Sequence, residues 1–259
     1  MKTSLKLTLI LLVVAFISSC NDMNDGINKY MENGERLYMG KLDSVKTFAG
    51  QNRFMISFYL KDPRVDTLAI YWNQKGDSIL LPIAPHSADS LYKVNIGGGT
   101  FPEGNSVLQF ICKSRSKYKS MVVESSVNVY GARYQAKLTS RYYNKAANCT
   151  YRTPKNSMTL SFGLPANQSE IGIMLRFFNK KLDAEKDTLI SSKSISDALA
   201  AARKIDATAL YAYLTIPNVV YDKVTKPVTY RTLYLPEATA IDTFYTKRDT
   251  IQTLKVVSY

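Results

Sequence analysis

Over much of this chain apolar residues recur at every second position, and no other feature constrains its fold as strongly. Phe54, Ile56, Phe58 and Leu60 alternate with Met55, Ser57, Tyr59 and Lys61. Successive side chains of a strand point to opposite faces, so such a run buries one face and wets the other. After the Asp62-Pro63 break, Leu68, Ile70 and Trp72 share a face, and Asn73 to Asp77 supplies the turn chemistry of a hairpin into Ser78 to Ile83. Tyr92, Val94 and Ile96 alternate up to Gly97-Gly98-Gly99, and runs at 107–113 and 121–130 flank a loop.

With a short strand near Val45 these runs make about seven strands in roughly 90 residues, the pattern of an immunoglobulin or fibronectin type III sandwich. A second β unit follows. Met158, Leu160 and Phe162 alternate, as do Ile171, Ile173 and Leu175, and further strands are expected near 210–214 and 228–235. Ser194-Ile195-Ser196-Asp197 resembles a capping box ahead of the alanine-rich 198–202, which predicts one short helix within 194–205. The expected fold class is mostly β: two fibronectin type III-like or Ig-like sandwiches in tandem, at 38–131 and 151–259, joined by a basic, tyrosine-rich connector at 132–150.

The chain begins differently. Lys2 and Lys6 precede an apolar run of 11 residues, Leu7 to Ile17, then Ser18, Ser19 and Cys20. About 20 residues are needed to span a bilayer, so the layout is that of a secretory signal over 1–19. Ile17-Ser18-Ser19-Cys20 resembles a bacterial lipobox, which makes Cys20 the expected lipid attachment site. Residues 20–37, with Asn-Gly and Asp-Gly steps, read as a solvated tether. The acidic start Asn21-Asp22-Met23-Asn24-Asp25 resembles export signals for the outer face of Bacteroidetes-type outer membranes. The expected location is therefore the outer membrane, lipid-anchored and facing the exterior.

Several segments carry a family resemblance. Asp43-Ser44-Val45, Ala69-Ile70-Tyr71-Trp72-Asn73, Phe101-Pro102-Glu103-Gly104 and Val129-Tyr130-Gly131 are similar to segments of Bacteroidetes-type surface lipoproteins with fibronectin-like domains. Thr229 to Glu237 and Ala240 to Tyr245 are similar to the end of that family's second repeat. The resemblance implies no assigned activity. It implies the company of other surface lipoproteins and of starch-utilisation-type glycan importers.

Charge supplies the candidate site. The formal net charge is +13, or +11 without Lys2 and Lys6. Between Lys113 and Lys155 stand ten basic residues and one acid, Glu124. An exported protein rarely meets nucleic acid, so the expected anions are acidic glycans or lipopolysaccharide phosphates. Lys113, Arg115, Lys117, Tyr118 and Lys119 in the loop, with Arg141, Tyr142 and Tyr143 in the connector, are the candidates; the competing reading is a charged surface that maintains solubility. Six Asp-Ser/Thr-aliphatic sites, at Ser44, Thr67, Ser78, Ser90, Thr188 and Thr250, resemble an O-glycosylation motif and equally suit turns that open strands. Trp72 could stack on a sugar, but its parity with Leu68 and Ile70 favours the core.

Catalytic signals are sparse. His86, the one histidine, has no nucleophile beside it in sequence, and no cysteine-histidine cluster has metal spacing. No cofactor is expected. Cys112 and Cys149 read either as a bridge or as two buried thiols. The expected role is non-catalytic binding or scaffolding, accessory to glycan capture; a structural or adhesion role without a small ligand and a glycan hydrolase are the alternatives. Cys20→Ser should release the protein from the membrane fraction while its far-ultraviolet circular dichroism stays that of β structure; retained attachment would refute the lipid anchor.

Overall fold

The computed structural model describes residues 38–87, 90–115, 118–143, 149–165, 167–251 and 254–258. Cys20, the tether, Lys117 and Lys145 lie outside them.

The first sandwich pairs a three-stranded sheet with a four-stranded one. β1 (Asp43–Ala49), β2 (Phe54–Leu60) and β5 (Ser90–Ile96) form the first, in the order β1-β2-β5. The second runs β4 (Asp77–Pro82), β3 (Thr67–Trp72), β6 (Gly104–Lys113), β7 (Val123–Val129). All pairings are antiparallel. This is the strand order of a fibronectin type III sandwich. The alternation expected in β2 is realised: Phe54, Ile56, Phe58 and Leu60 are fully buried, and they pack with Leu68, Ile70, Leu108 and Phe110 from the facing sheet. Trp72 is half-buried, leaning on Phe101 with ring centroids 5.1 Å apart.

A five-residue helix, α1 (Ala132–Ala136), follows β7 and leads to the second sandwich. One sheet orders β12 (Ala212–Ile216), β9 (Ser157–Phe162), β8 (Thr150–Arg152) and β17 (Lys255–Val257), with β17 parallel to β8. The other is built on β11 (Ala184–Ser191), β10 (Glu170–Asn179) and β14 (Thr229–Tyr234), with β13 (Val219–Val220), β15 (Phe244–Tyr245) and β16 (Asp249–Thr250) at its margins. Met158, Leu160, Phe162, Ile173, Leu175 and Phe177 fill the core. Helix α2 (Ser192–Ile205) lies between β11 and β12 and buries Ile195 and Leu199. Its cap is Ser191, whose Oγ accepts from Ser194 N at 3.1 Å, three residues ahead of the cap expected from the sequence.

A bulge in β10 has a consequence for the interior. Glu170 and Gly172 face consecutive residues of β14, Tyr234 and Leu233, so one extra residue is inserted. The insertion reverses side-chain parity, and Glu170 turns inward while Ile171 is only half-buried. Gly172 is required there, because a Cβ would meet the Ile190 carbonyl oxygen at 2.4 Å.

The two sandwiches meet end to end through residues distant in sequence. Asp242, in the segment after β14, accepts from Arg53 Nε at 2.8 Å, from Arg53 Nη2 at 2.5 Å and from Gln51 N at 2.8 Å. Ile241 N donates to the Ala49 carbonyl at 2.8 Å. A Cβ on Gly50 would lie 2.6 Å from Asp242 Oδ2, so the β1–β2 turn reaches the carboxylate only because glycine stands there. Tyr134 of α1 packs edge-on between Tyr130 and Phe244, at 4.8 and 5.1 Å. Glu103 fixes the helix start by accepting from Arg133 N and Tyr134 N at 2.8 and 2.7 Å.

Hydrogen bonding from Arg53 holds the Asp242 carboxyl below its ordinary pKa. Such a group stabilises the joint fully above the unfolded value of about 3.9, and the contribution is lost as pH falls through the depressed folded value. Asp242→Ala should speed proteolytic cleavage near residues 132–138 and widen the inter-domain distance distribution measured by fluorescence transfer. Each sandwich should lose no more than about 1 kcal/mol. The wild-type joint should loosen only below pH of about 3.9.

Candidate functional site

Strand pairing brings the basic loop and the start of the described chain together at the end of the first sandwich opposite the joint. Lys113, last in β6, pairs with Thr67, first in β3, and Met39 N donates to the Lys119 carbonyl at 3.3 Å. Asp66 N donates to the Lys113 carbonyl, and Arg115 N to Asp66 Oδ2 at 2.7 Å. Gly40 N donates to Asp62 Oδ2 at 2.8 Å, while Arg64 forks onto both oxygens of the same carboxylate. The Arg64 bonds hold the Asp62 carboxyl well below the usual range. Acids thus sit beneath the loop and orient it, while the cations face outward. Arg115 is 95% exposed and its contact to Asp66 is long, at 3.8 Å. Lys119 and Tyr118 are exposed. Lys113 is committed elsewhere: its Nζ donates to Tyr71 Oη at 2.8 Å.

The connector candidates separate. Tyr142 is exposed, beside Tyr211. Arg141 and Tyr143, expected at a ligand-binding surface, lie in the interior. Tyr143 is 4% exposed and stacks edge-on against Tyr230. The side chains of Arg141 and Glu170 are both 0% exposed and form an ion pair through Arg141 Nε. Arg141 Nη2 donates to Ser192 Oγ at 3.0 Å and its N to Thr232 Oγ1 at 2.7 Å, while its carbonyl accepts from Tyr230 Oη at 2.8 Å. A guanidinium enclosed in this way holds the fold and is out of reach of an external anion. Nothing local in the sequence marks it, because its partner is 29 positions away and faces inward only through the β10 bulge.

The six hydroxyls differ in access. Ser44, Ser78 and Thr250 are exposed, and Thr67 and Ser90 half-buried, all at strand starts or, for Thr250, in the two-residue β16. Thr188 is inside β11, with its hydroxyl buried, and the adjacent Asp187 is held by Arg176 and Arg248 at 2.6 and 3.3 Å. The motif at Thr188 therefore serves sheet structure. Cys112 and Cys149 are buried thiols in separate cores; burial pushes the Cys112 thiol up to about 11. They do not bridge.

At the joint end of the first sandwich lies a cleft of about 490 Å³ that parity did not reveal. Trp72, Asn73, Gln74, Asp77, Glu103 and Asn105 line it. Asn73, Gln74 and Lys75 hold consecutive φ angles of 50°, 53° and 69°. Left-handed backbone at three non-glycine residues in a row costs free energy, and such outliers concentrate at functional sites. The Trp72 indole with amide and carboxylate neighbours makes this a polar, aromatic cleft. The His86 ring nitrogens, by contrast, lie 3.2 and 3.1 Å from the Ala84 and Asp62 carbonyls, and the ring meets Tyr92 edge-on. Among the described residues no three potential metal ligands cluster, and no helix is long and apolar enough to cross a membrane.

The fold defines a mostly β protein of two fibronectin type III-like sandwiches with one helix of 14 residues, α2, in the second. The chain belongs to the DUF4998 family, a domain of unknown function, which it matches over residues 20–244. No curated protein matches it. It is similar to the FN1-FN3 domains of chicken CNTN1, at 10% identity over 85% of this chain and 70% of that one, with a TM-score of 0.42. It is also similar to an adhesin that helps an Antarctic bacterium reach out and bind ice, at 10% identity over 87% of this chain and 50% of that one, TM-score 0.42. A third likeness is to a 1.5-MDa bacterial ice-binding adhesin, at 8% identity over 86% and 67%, TM-score 0.37. The fold rests on the strand order of the two sandwiches.

Arg141→Met should destabilise the second sandwich by roughly 3–5 kcal/mol, because Glu170 is left buried without its counter-ion. The double change Arg141→Met with Glu170→Met should recover a large part of that loss. Chemical denaturation of the three proteins checks both.

Proposed function

We propose that the protein is a non-catalytic, lipid-anchored scaffold on the outer face of an outer membrane, with a ligand-binding role within a surface assembly. The observation that carries this reading is the joint. Arg53, Asp242, Ala49, Ile241, Tyr130, Tyr134 and Phe244 engage ionic, backbone and aromatic contacts at once, where a flexible linker would make none of them. A unit tied in this way transmits the position of its anchored end to its far end, which is what a spacer needs. The anchor itself is the Cys20 reading.

Glycan capture is the second reading, and the cleft beside Trp72 favours it. Aromatic faces suit the apolar faces of sugars, and amide and carboxylate groups suit their hydroxyls. The partners would be a glycan together with neighbouring importer lipoproteins; a structural or adhesion role without a small ligand is the form that remains if no glycan binds. Exposed Ser44, Ser78 and Thr250 would be the sites of O-glycosylation.

Two measurements test these readings. Labelling of intact cells with an antibody to the second sandwich should succeed without opening the outer membrane; labelling only after permeabilisation would overturn the surface placement. On a panel of neutral and acidic glycans, at least one class should bind, and Trp72→Ala should weaken it on the order of tenfold, the scale of one aromatic contact. Indifference to the whole panel would sink glycan capture and leave the scaffold role.

A further inference from the structure

We propose that the end of the first sandwich opposite the joint docks onto the anionic phosphate headgroups of the membrane to which the chain is tethered. This rests on the reading of Cys20 as the lipid attachment. Three separate segments deliver cations to that end: Lys41, Arg64, and the basic loop with Arg115 and Lys119, all of them exposed; Lys41 and Lys119 have no acidic partner among the described residues. Arg64 is paired with Asp62 yet stays 62% exposed. Cations dispersed over three segments suit a plane of phosphates better than one small anion.

Apolar groups share the same end. Tyr38, Tyr118 and Met121 are 54%, 44% and 65% exposed. The parallel bridge of Met39 to Ser120 ties the first described residues to this loop. A soluble phosphate would use the cations and leave these side chains in water. A headgroup layer uses both, since tyrosine is favoured at the boundary between lipid and water.

Connectivity supplies the third ground. Seventeen residues, 21–37, separate Cys20 from Tyr38. Seventeen residues reach at most about 60 Å even when fully extended. An anchored chain would therefore hold this end at high local concentration beside the surface, where weak contacts suffice. The competing occupant is the tether itself, through Asp22, Asp25, Glu32 and Glu35.

The test uses the full chain carrying Cys20→Ser, so that no lipid contributes, in co-sedimentation with vesicles of an equimolar mixture of phosphatidylcholine and phosphatidylglycerol at low salt. Adding Lys41→Glu, Arg115→Glu and Lys119→Glu should weaken retention on the order of a hundredfold, from about a factor of five per surface cation, and should remove most of its salt sensitivity. A control with Lys180→Glu, Lys181→Glu and Lys186→Glu, exposed in the second sandwich, makes the same charge change and should bind as the parent does. Residues 1–19 are common to every arm, and circular dichroism verifies folding. Equal retention of parent and tip variant, or equal loss in the control, would overturn the proposal. Retention that appears only after the four tether acids are changed to amides would overturn it in favour of the tether as occupant. The lipid anchor is judged separately by cell fractionation of Cys20→Ser in the otherwise native chain, so the two readings fail independently.

Discussion

The second sandwich is organised around a buried charge pair. Removing Arg141 and Glu170 from water carries a penalty of several kcal/mol per ion, offset only where each charge finds its counter-ion and its remaining hydrogen bonds. Here Ser192 of α2 and the Gly163 carbonyl accept from the guanidinium, while Thr232 and Tyr230 of β14 hold the Arg141 backbone. Connector, helix and sheet must all be in place for the pair to be satisfied. Because Arg141 stands only five residues beyond α1, fixing it also fixes where the connector enters the second sandwich. The joint depends on that entry.

The two ends of the first sandwich have opposite chemistry. At the joint, charge is neutralised: Asp242 meets Arg53, and Glu103 satisfies the backbone donors of α1. At the far end, Asp62 and Asp66 are used beneath the loops and the surplus is positive and outward. One end is built to be covered by its own chain. The other leaves its cations in solvent, and the cleft of Trp72 opens near the covered end, away from the cationic one.

Alternation made the first sandwich legible because its core residues are local in pattern: Phe54, Ile56, Phe58 and Leu60 report their face within seven residues. Helix α2 was legible through its alanines, though its cap was displaced to Ser191, since several serines nearby are chemically equivalent until the strand before them is placed. β11 was not legible, being polar along most of its length, with its pairing to β10 set by neighbours. For the candidate site, composition located the basic loop correctly in the chain but could not distinguish a surface arginine, such as Arg115, from an enclosed one, such as Arg141. That difference depends on the bulge at Glu170, which no periodicity announces. Trp72 keeps the parity of a core residue, yet it is half-buried because it is the last residue of its strand, where the facing sheet no longer covers it.

Local pattern along the chain was enough for the β class, the sandwich count, the position of helix α2 and the signal-like start with Cys20, because each is written in residues close together. Tertiary structure decided which cations face solvent, that Cys112 and Cys149 stay apart, that residues 241–244 return to clamp the first sandwich, and that the basic loop shares an end with Met39. Those outcomes depend on pairs such as Arg53 and Asp242, 189 positions apart, whose encounter is fixed only when both sheets have folded.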